Sequence, residues 1–595
     1  MGGTQFNNSH RNYGLLLVFV LLAAIYQARD SWAAPAPGAL NELQRKQQQI
    51  ILQQEERLKQ QERDFRGGER AVPDASQPSI LPHVPRQEGE PCLEVKSVIV
   101  SGVTLLSEST VSRLVGPYKG RCLTIADINN LLRDITNEYI SRGYITTRAF
   151  VDPSASEKGA KEGALHVLVI EGKIEKIIVN EGDKDSYYRG RSAFPFLEGK
   201  PLNLRDIEQG IDQLNRLPSA SATMELEPGE TLGGTVVKVT NQVSKSWRAN
   251  LGLDNLGQRS TGQGMYHLSL EKDNLMGIGD QFAVYWSEDI PFWDEEIRDR
   301  RRIGDNYSLS AFASIPWGYW TFSGNISRFG YNTTVFGMDD EYRSRGITEQ
   351  YSLKAERVIH RDADSKTSFS GAYNYRSTDS FFEGYRLEAS SYNLATAEFG
   401  LSHSRRLLGG VAGASVGYIR GLNIFGATRV PDHSHATPQS EFDKYTAMLS
   451  YYRPFTIGEQ NFYASVTAQG QWSPQTLYGA ERIQIGGRYS VRGFHEDSLI
   501  GDQGAYVRNE IGMFLPWFES LQTKGPLNGL QLYAAYDAGM LHPDKEDPFE
   551  RGHVQGVALG IRSIGALALD FTVAKAIDHP SYIRTRDMEI YFSAS

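Results

Sequence analysis

The chain has 595 residues, of which 40% are apolar and 22% charged, with a formal net charge of −9 and a mean hydropathy of −0.41. This length exceeds that of one ordinary domain, so several domains are expected. The acidic balance gives no indication of a nucleic-acid partner. The negative mean hydropathy does not exclude a membrane protein, because membrane β-barrels alternate apolar and polar residues and their average is polar.

A secretion signal is predicted at residues 1–33. Arg11 supplies positive charge, and Leu15–Ile25 is an apolar run too short to span a bilayer, which favours a signal peptide over a membrane anchor. Ser31-Trp32-Ala33, followed by Ala34, fits a cleavage site flanked by small residues. No later segment has the roughly 20 consecutive apolar residues of a spanning helix.

The only two cysteines are Cys92 and Cys122. Export implies an oxidising compartment, so a disulfide that closes a loop of about 30 residues is predicted. The alternative is a redox or metal pair, but there is no CxxC spacing and only His83 lies near in the sequence. No metal site is therefore expected.

A polar helix and a linker are predicted after the signal. Residues 39–64 are rich in Gln, Glu, Arg, Lys and Leu, which favours a helix within the segment 34–64. Its polar residues run nearly all round, so it must lie in water or in a polar cavity. A solvated or coiled-coil helix and a plug inside a water-lined pore both satisfy this condition, and composition alone favours the first. Residues 65–91, rich in Gly and Pro, read as a flexible linker.

Two small α/β modules are predicted at 92–171 and 172–243. The first has an apolar strand pattern, a helix with Asp127 in its first turn, and a β-rich run that ends at Glu171-Gly172. The second repeats the order strand, helix, strand. The predicted strands are Val95–Val100, Leu165–Ile170, Ile174–Val179 and Thr235–Thr240, and the predicted helices are Ile125–Ser141 and Asn203–Leu214.

From 244 to 595 the hydrophobic period changes to two. In 461–472, for example, apolar or small residues alternate with polar ones. At about 20 to 22 residues for each strand and turn, the region provides about 16 strands. Soluble β-sandwiches also alternate, but the pattern here is unbroken and has no linkers between sandwich-sized blocks. A membrane β-barrel is therefore favoured.

One short motif stands out in this region, Val491-Arg492-Gly493-Phe494, which follows a glycine-containing turn. An arginine in this setting needs a partner, and Tyr536-Asp537-Ala538-Gly539 offers one. Alternation places Asp537 on the lumen-facing side of its strand. A bidentate pair of Arg492 with Asp537 in a wet lumen would contribute about 1 kcal/mol, and somewhat more if partly desolvated.

The two motifs resemble the signature motifs of the superfamily that contains outer-membrane assembly factors and two-partner secretion transporters. Leu251–Gly257 and Asp273–Gly277 resemble the first barrel hairpin of the transporter branch. Thr124–Thr146 resembles its first polypeptide-transport-associated (POTRA) module, and Ile170-Glu171-Gly172 resembles the junction into the second. Each motif is short, and their order along one chain makes the match specific.

The domain order resembles the TpsB branch, which includes haemolysin and filamentous-haemagglutinin exporters, since assembly factors usually carry more POTRA modules and no leading helix. The resemblance implies an N-terminal helix that threads the pore, which reverses the preference from composition, then two POTRA modules in the periplasm and a barrel of about 16 antiparallel strands in the outer membrane. It also implies an inward hairpin with Val491, Arg492, Gly493 and Phe494, facing a barrel-wall motif with Tyr536, Asp537 and Gly539.

The implied partners are a large secreted exoprotein (a haemolysin, adhesin or contact-dependent toxin), outer-membrane lipid and the barrel assembly machinery. An outer-membrane assembly factor is the alternative function, and a passive channel is a third. No nucleotide-binding motif, nucleophile elbow or zinc signature occurs, so neither an enzyme nor a cofactor is expected. One departure concerns the end of the chain, Tyr591-Phe592-Ser593-Ala594-Ser595, because many such barrels end in an aromatic residue. Phe592 is the candidate substitute.

Overall fold

The computed structural model describes residues 47, 49, 50, 52, 80–86, 89–152, 163–180, 184–290, 304–336, 341–430, 437–515, 529–544, 550–563, 565 and 567–595. The predicted signal peptide and most of the predicted N-terminal helix and linker lie outside these residues. Within the described part of the chain, no helix has both the length and the apolar character needed to cross a membrane.

The first α/β module packs two helices on a three-stranded sheet, in which β2 and β5 are parallel and β4 is antiparallel to β5. The predicted helix at 125–141 is confirmed, and its first turn carries a capping box between Thr124 and Asp127. The predicted strand at 95–100 is split, because the amides of Lys96 and Ser97 both donate to the Gly163 carbonyl. Elements of this module are β1 Leu93–Val95, β2 Ser97–Ser101, α1 Glu108–Val115, β3 Arg121–Leu123, α2 Ile125–Ser141, β4 Arg148–Val151 and β5 Ala164–Ile170.

The predicted disulfide is confirmed. Cys92 and Cys122 are bonded, with their Cα atoms 5.3 Å apart. Cys122 lies in β3, which pairs with β1 immediately after Cys92. The disulfide therefore joins the start of the first module to the strand that leads into α2.

The second module repeats this plan, with a sheet in the order β6-β8-β7. Asn203 caps α4 through its side chain, and the buried face of α4 carries Ile207 and Leu214 against Ile174 and Val237 of the sheet. The helix α3 and the strand β7 were not predicted. Elements are β6 Lys173–Val179, α3 Lys184–Ala193, α4 Leu204–Asn215, β7 Ala220–Pro228 and β8 Gly234–Val243.

A closed antiparallel barrel of 16 strands, together with the two-residue strand β16, follows these modules. The predicted fold class is thereby confirmed. The strands are β9 Trp247–Asp254, β10 Met265–Asp273, β11 Gln281–Asp289, β12 Gly304–Trp317, β13 Trp320–Phe336, β14 Glu341–Arg361, β15 Ser365–Phe382, β16 Tyr385–Arg386, β17 Tyr392–Leu407, β18 Gly410–Leu422, β19 Asp443–Ile457, β20 Gln460–Trp472, β23 Gly504–Phe514, β24 Gln531–Leu541, β25 Gly552–Arg562, β26 Leu569–Asp578 and β27 Glu589–Ala594.

The strands alternate between an apolar outer face and a polar inner one. Large apolar side chains are exposed on the outside, as expected for a lipid-facing surface; examples are Leu251, Leu353, Val416, Leu449, Ile511 and Leu559. Buried polar side chains point inward, among them Ser310, Arg376, Thr396, Lys444 and Asp537. Closure of the sheet, which sequence periodicity does not reveal, distinguishes this barrel from a sandwich.

The second module is bonded to the barrel turns that lie on its side. Arg361, at the end of β14, bonds Asp212 of α4 at 2.5 Å. Gln213 donates to the Gly318 carbonyl at 2.8 Å, and Arg216 to the Gly279 carbonyl at 2.7 Å. These contacts fix α4 under three successive barrel turns.

Candidate functional site

The segment 473–503, between β20 and β23, folds back into the barrel and is called the inward hairpin. Its strands β21 Ile483–Ile485 and β22 Leu499–Gly501 pair with each other and not with the barrel. The turn between them uses Gly486 and Gly487, both with positive φ of 125° and 132°. Only glycine adopts such angles without strain, so the two adjacent glycines allow the hairpin to reverse inside the lumen.

Arg492, on this hairpin, is held by Asp537 of β24. Arg492 Nε lies 2.6 Å from Asp537 Oδ2, Nη2 lies 2.8 Å from Oδ1, and the Arg492 amide donates to Oδ2 at 3.1 Å. Both side chains are 1% exposed. The pair is therefore buried rather than solvated by a wet lumen. Removing one partner of such a pair costs about 3–5 kcal/mol, because the other charge is left uncompensated.

A second carboxylate extends the arrangement across four neighbouring strands, β20, β23, β24 and β25. Arg492 Nη1 donates to Glu510 of β23 at 2.9 Å. Glu510 also accepts from the Tyr463 hydroxyl at 2.8 Å and pairs with Arg562. The Arg562 guanidinium lies 4.1 Å from the centre of the Tyr533 ring. The guanidinium of Arg492 thus meets two acids on adjacent strands, and its position is fixed in two directions.

Glycines bring the hairpin close to the wall. A Cβ at Gly556 would overlap the Arg492 carbonyl oxygen, and a Cβ at Gly539 would overlap Ile485 and crowd Val491. Gly493 has a φ of 101°, and a Cβ there would lie 2.6 Å from the amide nitrogen of Ala576. A Cβ is therefore excluded at all three positions, by backbone atoms at Gly556 and Gly493 and by the Ile485 side chain at Gly539.

The remaining motif residues are placed as follows. Val491 and Phe494 are buried in an apolar cluster with Ile485 and Leu499 of the hairpin and Leu541 of β24. Tyr536 is not brought to the hairpin, because it lies on the outer face and is 44% exposed. Its hydroxyl donates to Gln555 on the neighbouring strand. Within the wall motif, Asp537 and Gly539 contact the hairpin, whereas Tyr536 faces outward by alternation.

Two further contacts fix the hairpin tip. Arg488 pairs with Asp570 of β26 at 2.5 Å. The Tyr591 hydroxyl of β27 donates to the Phe494 carbonyl at 2.7 Å and accepts from the Gly493 amide at 3.2 Å. The tip is therefore bonded to the last strands of the barrel.

The base of the hairpin is bonded to the other side of the barrel. Glu481 pairs with Arg376 of β15 at 2.9 Å and also with Lys444 of β19. Because the tip contacts β23 to β27 and the base contacts β15 and β19, the hairpin extends across the lumen.

Sequence reasoning missed Glu510, Arg562, Arg488 and Asp570. The sequence did contain a signal for these residues. Lumen-facing positions of the last strands repeatedly carry charged residues, although alternation requires only a polar residue there. Periodicity assigns each residue to a face but does not say which strands the hairpin will reach.

An acidic group lies near the outer end of the hairpin. Carboxylate oxygens of Asp502, Asp544 and Glu550 lie within 4.8 Å of one another. Arg482 is placed between them, 3.1 Å from Asp502 and 3.4 Å from Glu550. The positive charge of the Arg482 guanidinium balances these carboxylates. The acidic group is therefore part of an ion-pair network between the hairpin and the residues that follow β24.

The few described residues of the N-terminal helix also lie inside the barrel. Gln47 donates to the Ser344 hydroxyl of β14 at 2.9 Å, and its side chain is buried. Ile50 packs in a cluster with Phe329, Tyr392 and Tyr478, which come from two strands and the hairpin. These residues and the hairpin occupy the lumen together.

Comparison with known proteins identifies this arrangement. A sequence model of the family described as "Haemolysin secretion/activation protein ShlB/FhaC/HecB" matches residues 233–563. The chain belongs to this family. Models of the ShlB-type POTRA domain and of a POTRA domain match 93–172 and 173–228, the two α/β modules described above.

Individual relatives agree with this assignment. The chain is 33% identical to the "Outer membrane transporter CdiB" of Dickeya dadantii, over 97% of each chain. It is 35% identical to the "Hemolysin transporter protein ShlB" of Serratia marcescens, over 71% of this chain and 72% of the relative. The solved structure of CdiB from Escherichia coli superposes with a TM-score of 0.81 at 30% identity, covering 95% of this chain and 99% of that one.

As a member of the family, the protein is a two-partner secretion transporter of the outer membrane, with its POTRA modules in the periplasm. The position of the POTRA modules fixes the orientation of the barrel in the membrane, because the barrel turns that contact α4 must lie on the periplasmic side. The inward hairpin consequently enters from the outer side, where β20 ends and β23 begins.

Proposed function

We propose that this transporter moves one large, unfolded exoprotein from the periplasm to the cell surface through its own barrel. The observation that carries the proposal is the buried Arg492–Asp537 pair, which holds the hairpin across the lumen. A polypeptide cannot pass through the lumen while the hairpin and Ile50 occupy it. Transport then requires that both leave their resting positions.

The proposed sequence of events has three steps. A POTRA module binds an extended cargo segment by adding a strand to a sheet edge; β2, β4, β6 and β7 are the available edges. The N-terminal helix at 34–64 then leaves the pore and the hairpin shifts. The cargo passes without nucleotide hydrolysis, and its folding outside the cell makes each exported segment hard to retract.

The test of the hairpin's role is Arg492→Ala and Asp537→Ala, with export and barrel insertion measured separately. Export is expected to fall at least tenfold while the barrel is still inserted in the outer membrane. Arg386→Ala is the matched control, because Arg386 forms an exposed ion pair with Asp379 on the barrel rim. Normal export by both lumen variants would reject the proposed role.

The partner class is an exoprotein such as a haemolysin, an adhesin or a contact-dependent toxin. The relatives' names include a haemolysin transporter, and this supports export of an exoprotein of that kind. Deletion of the transporter is expected to abolish secretion of that partner alone. Loss of many outer-membrane proteins on depletion would instead indicate the alternative function, an assembly factor.

Outer-membrane lipid and the barrel assembly machinery are the further proposed partners. Phe592 of β27, paired with Phe571, is proposed to serve as an aromatic assembly signal. Phe592→Ala is expected to lower the inserted fraction several-fold, whereas Ile590→Ala, on the same face of β27, should have little effect. Equal insertion of the two variants would contradict this assignment.

A further inference from the structure

The described linker residues 80–86 lie along α2 of the first POTRA module and are bonded to it through their main chain. Asn137 accepts from the Leu81 amide at 2.9 Å and donates to the Leu81 carbonyl at 3.0 Å. Asn130 does the same with Val84, accepting at 2.8 Å and donating at 2.9 Å. Each asparagine thus satisfies one residue's N–H and C=O together, as a neighbouring β-strand would.

The spacing of the two asparagines matches an extended chain. Asn130 and Asn137 are seven residues apart, which is about 10.5 Å along a helix. Leu81 and Val84 are three residues apart, which is about 9–10 Å in an extended or polyproline conformation. The linker runs antiparallel to the helix. The distance between the two asparagines therefore matches the distance between Leu81 and Val84, and both pairs can bond at once.

Other bonds lie between these two positions. Arg133 donates to the Pro82 carbonyl at 2.6 Å, and His83 Nε2 lies 2.6 Å from Asp134 Oδ1. The linker residues 80–86 are exposed, Ile80 at 65% and Leu81 at 37%, except for the half-buried Val84. The segment is therefore held mainly by its backbone, with little apolar burial.

Two prolines in the linker favour the extended conformation that this contact requires. Leu81 precedes Pro82 and Val84 precedes Pro85. A residue before proline is restricted to extended conformations, and these are the two residues that the asparagines bond. The linker therefore loses little conformational entropy when it binds.

We propose that the α2 face with Asn130 and Asn137 is a binding site for extended polypeptide, recognised by its main chain, which residues 80–86 occupy as an internal competitor until cargo displaces them. Because the asparagines bond only backbone atoms, the site accepts many sequences, provided that the two bonded positions carry an N–H. The identity of the displacing ligand rests on the proposed function, in which the ligand is an extended segment of the exoprotein.

Displacement would connect cargo binding to pore opening. The α2-bound segment precedes β1 in the chain and follows the helix whose residues Gln47 and Ile50 lie in the lumen. Release of 80–86 would free these seven residues from α2 and lengthen the tether that holds that helix to the first module. A longer tether gives the helix room to leave the barrel.

The test uses the full-length chain in detergent and a fluorescent peptide with the sequence of residues 78–88. In the wild type, the tethered segment acts at an effective concentration in the mM range and excludes the free peptide. Leu81→Pro together with Val84→Pro removes both linker amides and should vacate the site. This variant is expected to bind the peptide at least tenfold more tightly than the wild type.

Three controls decide whether the asparagines recognise the main chain. Adding Asn130→Ala and Asn137→Ala to the proline variant should abolish peptide binding, whereas adding Asn129→Ala, an exposed position on the same helix, should not. A peptide N-methylated at the residues equivalent to Leu81 and Val84 should fail to bind. A scrambled peptide with non-proline residues at those two positions should bind within about threefold of the original.

Peptide binding that survives loss of both asparagines, or that tolerates N-methylation, overturns the proposal. So does failure of the proline variant to bind the peptide while its circular dichroism and disulfide match the wild type. These measurements do not involve export. A normal binding result in a chain that exports nothing would instead refute the proposed function and leave this site in place.

Discussion

Gly556 of β25 lies directly against the main-chain carbonyl of Arg492, with no space for a Cβ between them. The ion pair with Asp537 therefore depends on a position that carries no charge at all. Since the wall must admit the hairpin backbone before the guanidinium can reach its acids, shape and charge act together at this site.

Gly556→Ala is accordingly expected to displace the hairpin without altering any charged group. Export should fall several-fold, and protease accessibility of the hairpin should rise. Gly371→Ala is the matched control, because a Cβ at residue 371 of β15 meets no atom within 4 Å. Equal protease patterns for the two variants would show that the contact is not needed to hold the hairpin.

Glu510→Gln should lower barrel stability by leaving Arg492 and Arg562 near each other without their shared acid. The two substitutions Glu510→Gln and Arg492→Ala are expected to be non-additive, with a coupling of about 0.5–3 kcal/mol. The measurement is a double-mutant cycle on urea unfolding of the barrel in detergent. Additive effects would mean that the two side chains contribute independently.

The barrel seam depends on Asn255. Only two residue pairs join β9 to β27, and Asn255 adds bonds to the Phe592 amide at 2.7 Å and the Ile590 carbonyl at 2.8 Å. Asn255→Ala is expected to lower the temperature at which the barrel loses its compact migration on gels. Asn250→Ala, which removes only an exposed side-chain bond of β9, should leave that temperature nearly unchanged; similar shifts for both would contradict the assignment.

Removal of the disulfide by Cys92→Ser and Cys122→Ser should destabilise the first POTRA module. Opening a loop with a sequence separation of 30 residues costs about 3–4 kcal/mol on the chain-entropy account. The check is hydrogen exchange of α2, which should speed up in the variant and in the reduced wild type. Unchanged protection in both would show that the module is stable without the bond.

Glu171 makes the stability of the same module dependent on pH. Burial by itself would raise the pKa of Glu171, but hydrogen bonds from Thr104 and Tyr139 outweigh it and hold the pKa below the ordinary 4.5. A depressed folded-state pKa contributes stability that is fully present above the unfolded value and is lost as the pH falls through the folded value.

Glu171→Gln should therefore lower the unfolding temperature of the module most at pH 6–7, and the difference from the wild type should shrink as the pH falls below 4.5. Glu94→Gln, at an exposed position of the same module, is the control. A difference that stays constant down to pH 3 would show that the carboxylate charge is not responsible.

The local elements were largely within reach of the sequence. The helix Ile125–Ser141 was predicted with the bounds found, from Asp127 in its first turn and Gly143 past its end; the structure adds Thr124 as the capping residue. Period-two alternation predicted a barrel of about 16 strands and the inward position of Asp537, since a strand must direct successive side chains to opposite faces. The cysteine pair was predictable from compartment and number alone.

Tertiary structure alone decided which distant residues meet. Alternation could not tell that Glu510 and Arg562 would share the charge of Arg492, because strand order around a closed barrel brings together positions that are far apart in the chain. It could not show that Tyr536, within the same short motif as Asp537, faces outward from the hairpin. The bonds from Asn130 and Asn137 to the linker were equally hidden, since they join side chains to main chain, which carries no sequence signal.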